Sequence, residues 1–220
     1  MLEDPRVTSV RLVNQPAFVY HLDAQIDVPG LGAVSVDVAW GGMAYVLVDA
    51  ASVGFDLVPS EARELAVMGQ RIKTAAAEQL DAVHPVHPEF PGITQTEFTT
   101  PAERIGGVLT GRNAVIVSPG RIDRSPCGTG SSARLAVLHA MGQIDVGETF
   151  LHRSIIDTTF DTRIESLTRV GDVDAIVPSV AGQAWITDFS KVGVDPSDPF
   201  PQGVTLGDTW MASEVSHATS

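Results

Sequence analysis

The run Asp123-Arg124-Ser125-Pro126-Cys127-Gly128-Thr129-Gly130-Ser131-Ser132 gathers the groups of this 220-residue chain best suited to chemistry. Cys127, the chain's only cysteine, stands directly before a glycine-rich turn into the helix-forming run ARLAVLHAM. At such a helix start the backbone N–H groups of Gly128, Thr129 and Gly130 lack intrahelical acceptors, and partial positive charge collects there. That end binds a carboxylate or phosphate and lowers the pKa of a neighbouring thiol. Glycine suits the place because a Cβ would keep the ligand off the backbone. Asp123, four residues before the thiol, can pair with an amino or imino cation. Together these groups fit an α-amino acid: carboxylate on the helix end, nitrogen on the aspartate, Cα–H facing sulfur. The other reading is a buried structural cysteine beside a tight turn, since free cysteine is among the most buried residue types.

Other candidates are weaker. His84 and His87 are spaced as H-x-x-H, but the prolines after both break the helix that presents such a pair, and no cysteine or carboxylate cluster accompanies them. They read as loop histidines, and no metal is expected. His139 lies about 18 Å along the helix from Cys127 at about 1.5 Å per residue, too far to pair with the thiol. Whether His152 reaches it depends on the fold. Lys73 and Lys191 are the only lysines, and no G-x-x-x-x-G-K-[ST] loop occurs, so neither pyridoxal phosphate nor a nucleotide is expected.

These residues need a scaffold. Apolar residues make up 44% and charged residues 19%, the balance of a chain that folds around a core. A net charge of −13 without clustered Lys and Arg argues against a nucleic-acid partner. No run of about 18 apolar residues occurs, so no membrane span is expected. The acidic start, MLEDPRVTSV, lacks the form of a signal peptide. One cysteine precludes an internal disulfide and fits a reducing cytoplasm.

VTSVRLV, AFVYHL, AVSVDVAW and AYVLVDA read as strands separated by turns at Pro29-Gly30 and Gly41-Gly42. Pro59-Ser60 starts a helix with Leu65, Met68, Ile72 and Ala76 on one face, running to about Leu80. HPVHPEFPG is a loop. ITQTEFTT and NAVIVS resume the strands. After the second helix, closed by Gly142, come TRIESLTRV, VDAIVPSV and GQAWITDF. The tail DPSDPFPQGVTLGDTW is turn-rich, and the last ten or so residues are expected to fray. Phe18, Trp40, Phe90 and Phe98 read as core, with room for one to line a ligand pocket. The class is α+β, mostly antiparallel strands with two principal helices.

The run DRSPCGTGSSARLAVLHAMG resembles the second active-site motif of the proline racemase family, which includes proline racemase, 4-hydroxyproline 2-epimerase and trans-3-hydroxy-L-proline dehydratase. NQPAFVY is similar to the family's Val-Pro-Ser-Phe-Val strand, and VDVAWGGMAYVLVDA to its Asp-(Ile/Val)-Ala-(Tyr/Trp)-Gly-Gly strand. HPEFP, FLHRSIIDTTFDTRI, VPSVAGQAWIT and DPSDPFPQG follow in the family's order.

The resemblance implies a diaminopimelate epimerase-like fold: two pseudosymmetric lobes, each a sheet curled around a central helix, with the site between them. It implies a reaction without metal or cofactor, in which one thiolate removes the α-proton and a thiol on the opposite face returns one. Carried over by position, Cys127 is the second-lobe acid/base, Gly128 and Thr129 contact the carboxylate with Gly130 completing the cradle, and Asp123 binds the substrate nitrogen. The substrate would be proline or hydroxyproline, and the homodimers common in the family are an open expectation.

Three departures qualify this picture. No Met-Cys-Gly-His-like motif precedes NQPAFVY, so the expectation is a chain lacking most of the first lobe and its base, in which 1–38 are remnant strands, 39–190 the second lobe, and 191–220 a return segment and tail. Gln95 replaces the histidine of an Asp-His-Ile-Glu-Phe segment typical of hydroxyproline epimerases, and Asp157 stands where the family usually has glycine. Dehydratases of the family typically carry threonine at the Cys127 position, so cysteine favours racemisation or epimerisation. The alternatives are that dehydratase, or an inactive remnant that binds a carboxylate.

Overall fold

The structure, a computed structural model, describes residues 7–203. The β-branched and aromatic runs near the start form β1 (Val10–Val13), β2 (Phe18–Val28), β3 (Gly32–Trp40) and β4 (Ala44–Asp49). A 3-10 turn at Pro59–Glu61 opens α1 (Ala62–Gln79), followed by β5 (Ile93–Thr99), β6 (Glu103–Ile105), β7 (Val108–Val117) and β8 (Arg121–Ile122). Then come α2 (Gly128–Ala140), β9 (Thr149–Ser154), β10 (Thr159–Val170) and β11 (Val173–Gly182). Gly142, at φ +69°, ends α2 as expected, its N–H donating to His139.

All strands join one mixed sheet in the order β1-β11-β10-β9-β7-β5-β4-β3-β2, with β6 and β8 added to β7. Pairing is antiparallel except at β4–β5 and β7–β9, the two places where a helix forms the crossover. The helices lie on opposite faces. Along β4, Val46 and Val48 join the cluster around Leu65, Ile72 and Ala76 of α1, while Tyr45 and Leu47 join Ala133 and Val137 of α2. On β7, Ala114 and Ile116 face α1 and Val115 faces α2. The middle strands are thus buried on both sides.

The sheet curls around α2. Residues Gly130–Leu138 are buried without a break, with Leu135 and Leu138 packed against Phe150, Ile164 and Ile176. The curl brings the start of β2 back to β11, where Ala17 and Ile176 exchange hydrogen bonds of 2.9 and 2.8 Å. One bridge joins these edges, and the sheet stays open. The expected division at residues 38 and 39 falls inside β3, which runs unbroken through it.

Three local readings change. The helix begins at Gly128 rather than Ala133, so CGTGSS forms its entrance. FLHRS is β9, whose inward residues Phe150, His152 and Ser154 hide its two-residue period behind polar side chains. GQAWITDF is not a strand: β11 ends at Gly182, and Trp185, Ile186 and Phe189 are exposed. The frayed end expected of the last residues lies outside the described ones. Among the described residues no helix is long and apolar enough to cross a membrane.

One close approach fixes where α2 starts. A Cβ on Gly41 would lie 2.1 Å from the Thr129 carbonyl oxygen and 2.5 Å from the Ala133 nitrogen, so only glycine lets the β3–β4 turn sit on the helix. Gly41→Ala is expected to lower unfolding free energy by about 1–3 kcal/mol through overpacking. Gly128→Ala, whose Cβ meets nothing within 4 Å, should change little. Urea unfolding of both variants checks this, and equal stability would refute the close approach.

Candidate active site

Cys127 is the residue before the first turn of α2, at φ +63° and ψ +124°, a backbone conformation that L-residues rarely adopt. Its N–H donates to Ser125 Oγ at 3.2 Å, and its carbonyl accepts the helix's first bond from Ser131 at 2.9 Å. The sulfur lies 3.4 Å from Tyr45 Oη and 3.6 Å from Thr129 Oγ1, and these two hydroxyls are 2.6 Å apart. The Gly130 N–H also points at the sulfur. Thiol, tyrosine, threonine and helix end form one half-buried cluster.

The expectation of a lowered thiol pKa needs correction. Burial pushes Cys127 above its ordinary value. Hydrogen bonds from Tyr45, the Gly130 N–H and Thr129 pull the other way, and the charge of Asp123 adds to the rise. The helix end acts in the expected direction, but loss of solvent outweighs it. Burial likewise raises Tyr45 beyond the ordinary phenol range.

The other expected site residues separate by depth. Asp123 is half-buried, tied by its N–H to the Val115 carbonyl at 3.1 Å, and close enough for its charge to act on the thiol. Gly128 and Thr129 are half-buried at the mouth, Gly128 facing open space. Gly130 is buried: a Cβ there would lie 3.1 Å from Val115 Cγ2 and 3.2 Å from Glu97 Oε2.

The histidines do not reach the sulfur by hydrogen bonds. His152 is fully buried and bonded to Ser131 Oγ at 2.8 Å, while His139 bonds the Ile144 carbonyl beyond the far end of α2. His84 and His87 pack with Trp40 and Phe90, and His84 Nδ1 accepts the Val86 and His87 N–H groups. Trp40, Phe18 and Phe98 are buried, but Phe90 is exposed and stacks on Trp40 at 5.6 Å. These two rings, with Gln15, Met43 and Thr94, line an open cavity of about 270 Å³. Gln95 accepts the Ser118 N–H at 3.2 Å. Asp157 has a structural reason: it turns at φ +64°, a region aspartate tolerates, and its carboxylate bonds Arg112 at 2.6 Å and Arg153 at 3.3 Å.

Sequence reasoning missed Tyr45, Glu97 and Asn113. Tyr45 was one aromatic among strand formers. Glu97 and Asn113 are polar residues in strands buried on both faces, and only the unfavourable burial of such groups could have flagged them.

The family model described as proline racemase matches residues 1–205. A probable proline racemase from Agrobacterium radiobacter K84, solved with bound carbonate, is 36% identical with a TM-score of 0.81, the match covering 93% of this chain and 59% of that one. A hydroxyproline epimerase from Agrobacterium vitis, solved with bound trans-4-hydroxy-L-proline, is 37% identical with a TM-score of 0.82, covering 96% and 59%. The chain therefore spans about 59% of the length of these two structures.

Two measurements test the electrostatics. Tyr45→Phe removes a hydrogen bond that lowers the thiol's pKa, so the pH midpoint of Cys127 alkylation should move upward; an unchanged midpoint would disprove the contact. The second concerns stability. Burial raises Glu97 to about 7 and lowers His152 to about 3. Between about 4.5 and 7 the unfolded chain has lost the Glu97 proton that the fold retains, so this contribution falls as pH rises. Between about 3 and 6.5 the unfolded chain binds a His152 proton that the fold refuses, so that contribution rises with pH. The two oppose each other from about 4.5 to 6.5. Removing the falling one with Glu97→Gln should make stability rise more steeply with pH across that window, and parallel urea-unfolding profiles would contradict it.

Proposed function

The chain belongs to the proline racemase family, and from that membership we propose that it carries one acid/base of a cofactor-independent racemase or epimerase of proline or hydroxyproline. The observation that carries this reading is the sulfur at the start of α2, contacted by Tyr45, Thr129 and the Gly130 N–H, beside a Gly128 that faces open space. A carboxylate seated on the helix end near Gly128 and Thr129 would meet backbone N–H donors. Asp123 would take the ring nitrogen as its cationic partner. The α-carbon would then face the sulfur.

In the reaction, the Cys127 thiolate takes the α-proton, forming an S–H bond as the C–H electron pair passes into the carboxylate. Charge that builds on the carboxylate is stabilised by donors already in place. Return of a proton to the opposite face inverts the centre, and that step needs a second acid. This chain's single cysteine serves only one face. The bound hydroxyproline of the Agrobacterium vitis epimerase supports the substrate class. Cysteine rather than threonine at position 127 favours proton return over loss of water.

The two half-reactions give the test. One thiol can exchange the α-proton with solvent and return it to the same face, whereas inversion needs both acids. Proton NMR in D₂O, with L-proline and trans-4-hydroxy-L-proline offered separately, is expected to show exchange that Cys127→Ser lowers by about 10²–10⁴-fold. Carboxylate binding without Cys127-dependent exchange would replace the isomerase reading with the binding-module one.

A further inference from the structure

Directly beneath the thiol lies a buried polar cluster that the proposed reaction does not use. Glu97 on β5 is fully buried on the face toward α2, since its neighbour Phe98 packs toward α1. Burying a carboxyl in a sheet face is unfavourable unless it is hydrogen-bonded, and even then a hydrophobic residue is often as stable there, so the bonds it makes are informative. Glu97 Oε1 accepts from Asn113 Nδ2 at 2.8 Å, and the second Nδ2 proton goes to the Pro126 carbonyl, also at 2.8 Å. Ser131 Oγ donates to that same carbonyl at 3.2 Å. With its proton given there, Ser131 Oγ accepts from His152 Nδ1 at 2.8 Å, which leaves the lone pair on Nε2.

Two side chains, Asn113 on β7 and Ser131 on α2, therefore grip one carbonyl oxygen, that of the peptide leading into Cys127, and Glu97 on β5 and His152 on β9 hold those two in turn. The other end of that peptide is held too, because the Cys127 N–H donates to Ser125 Oγ. A peptide fixed at both ends, followed by the first bond of a buried helix, leaves Cys127 little freedom in φ. This matters because φ +63° is unfavourable for a residue with a Cβ and persists only where the surroundings over-determine it. A relaxed φ would swing the Cβ–Sγ bond away from Tyr45 and the Gly130 N–H.

We propose that Glu97 and Asn113, with Ser131 and His152, are positioning residues that clamp the Pro126–Cys127 peptide and so aim the Cys127 thiol. Gly130 lets the clamp close up beneath the helix: Glu97 Oε2, without a hydrogen-bond partner among the described residues, lies where a Cβ would crowd it. The charged neighbours are Arg134 on α2, itself buried, with Asp37 on β3 and Asp49 on β4, and Asp123 on the approach to the thiol. The inference rests on reading Cys127 as the acid/base, but its test does not need substrate.

Because Cys127 is the only cysteine, iodoacetamide alkylation of the full chain reports on it alone. Asn113→Ala and Glu97→Ala are expected to raise the alkylation rate at neutral pH by at least about fivefold, as the thiol gains exposure and thiolate fraction. Their titration midpoint should fall as the thiol escapes burial. Glu97→Gln keeps an oxygen to accept the Asn113 N–H and should restore rate and midpoint toward wild type. Thr162→Val, which loses a buried hydrogen bond to the Phe150 carbonyl outside the clamp, should match wild type in both. If Asn113→Ala does not fold, Ser131→Ala, removing one of the two grips, carries the same expectation. Folded clamp variants that alkylate like wild type, or no differently from Thr162→Val, would overturn the proposal. The α-proton exchange assay is separate: exchange lost in Cys127→Ser with no change in the clamp variants sinks the clamp alone. Altered alkylation without Cys127-dependent exchange sinks the racemase reading alone.

Discussion

A helix buried along most of its length still has to leave its first backbone N–H groups unpaired, and much of this structure follows from where α2 puts them. The sheet wraps α2 from both edges, so that β2–β4 and β10–β11 all pack against it. Ala133 to Leu138 pay nothing for this, being apolar apart from Arg134. The entrance is different. It must pass from the loop after β8 into the middle of a curled sheet within a few residues, and it does so through small residues and a cysteine in a rare backbone conformation. Thr129 and Tyr45 close one side, the Gly41 turn rests on the backbone, and only the Gly128 side opens outward. A donor-rich helix end in a partly dry, one-sided opening has the physical properties that hold a small anion against a reactive group.

How much of this was legible in the sequence depended on which force set each element. The first four strands, α1 with its Leu65–Ile72 stripe, and the thiol before a glycine-rich helix start all follow from local rules of periodicity and turn chemistry, and the structure has them there. The start of α2 was read late because Gly128 and Gly130 look like turn residues. Packing overrides that preference: at Gly130 the lack of a side chain is what lets β5 and β7 approach. β9 was invisible for the converse reason, since the polar His152 and Ser154 sit on its inward face, His152 satisfied by Ser131 far off in sequence and Ser154 by the turn at Ile156 and Thr158. The direction of the thiol's pKa was misjudged because spacing reveals the helix end but not the solvent lost around it.

Family membership and site chemistry rest on different observations. The match of fold and sequence to racemase and epimerase structures places the chain in its family, and it leaves the residue roles to geometry. Geometry also sorts the departures from the family pattern. Asp157 occupies a left-handed turn beside two arginines, so its difference from glycine concerns a turn and an ion pair. Gln95 is another matter. It is buried at the sheet end that faces the Met43 turn, where its amide reaches Met43 Sδ and accepts the Ser118 N–H, so a neutral amide stands where the resembled segment has a titratable ring.

A thiol kept protonated by burial is suited to giving a proton and poorly suited to taking one, yet a two-base isomerase needs each base to do both in turn. Tyr45 and Thr129 bear on this. Each hydroxyl can act as donor or acceptor, and the 2.6 Å bond between them lets one serve the sulfur while the other serves as its partner. When the sulfur is a thiolate, the Gly130 N–H and one of these hydroxyls can donate to it while the other hydroxyl donates to the first; when it is a thiol, the S–H can itself donate to a hydroxyl oxygen. Burial raises the thiol's pKa, and under the proposed function a substrate ammonium beside Asp123 would favour the thiolate at the moment of reaction. Under the proposed function the aspartate would do two things, binding nitrogen and bringing the positive charge that offsets its own effect on the sulfur.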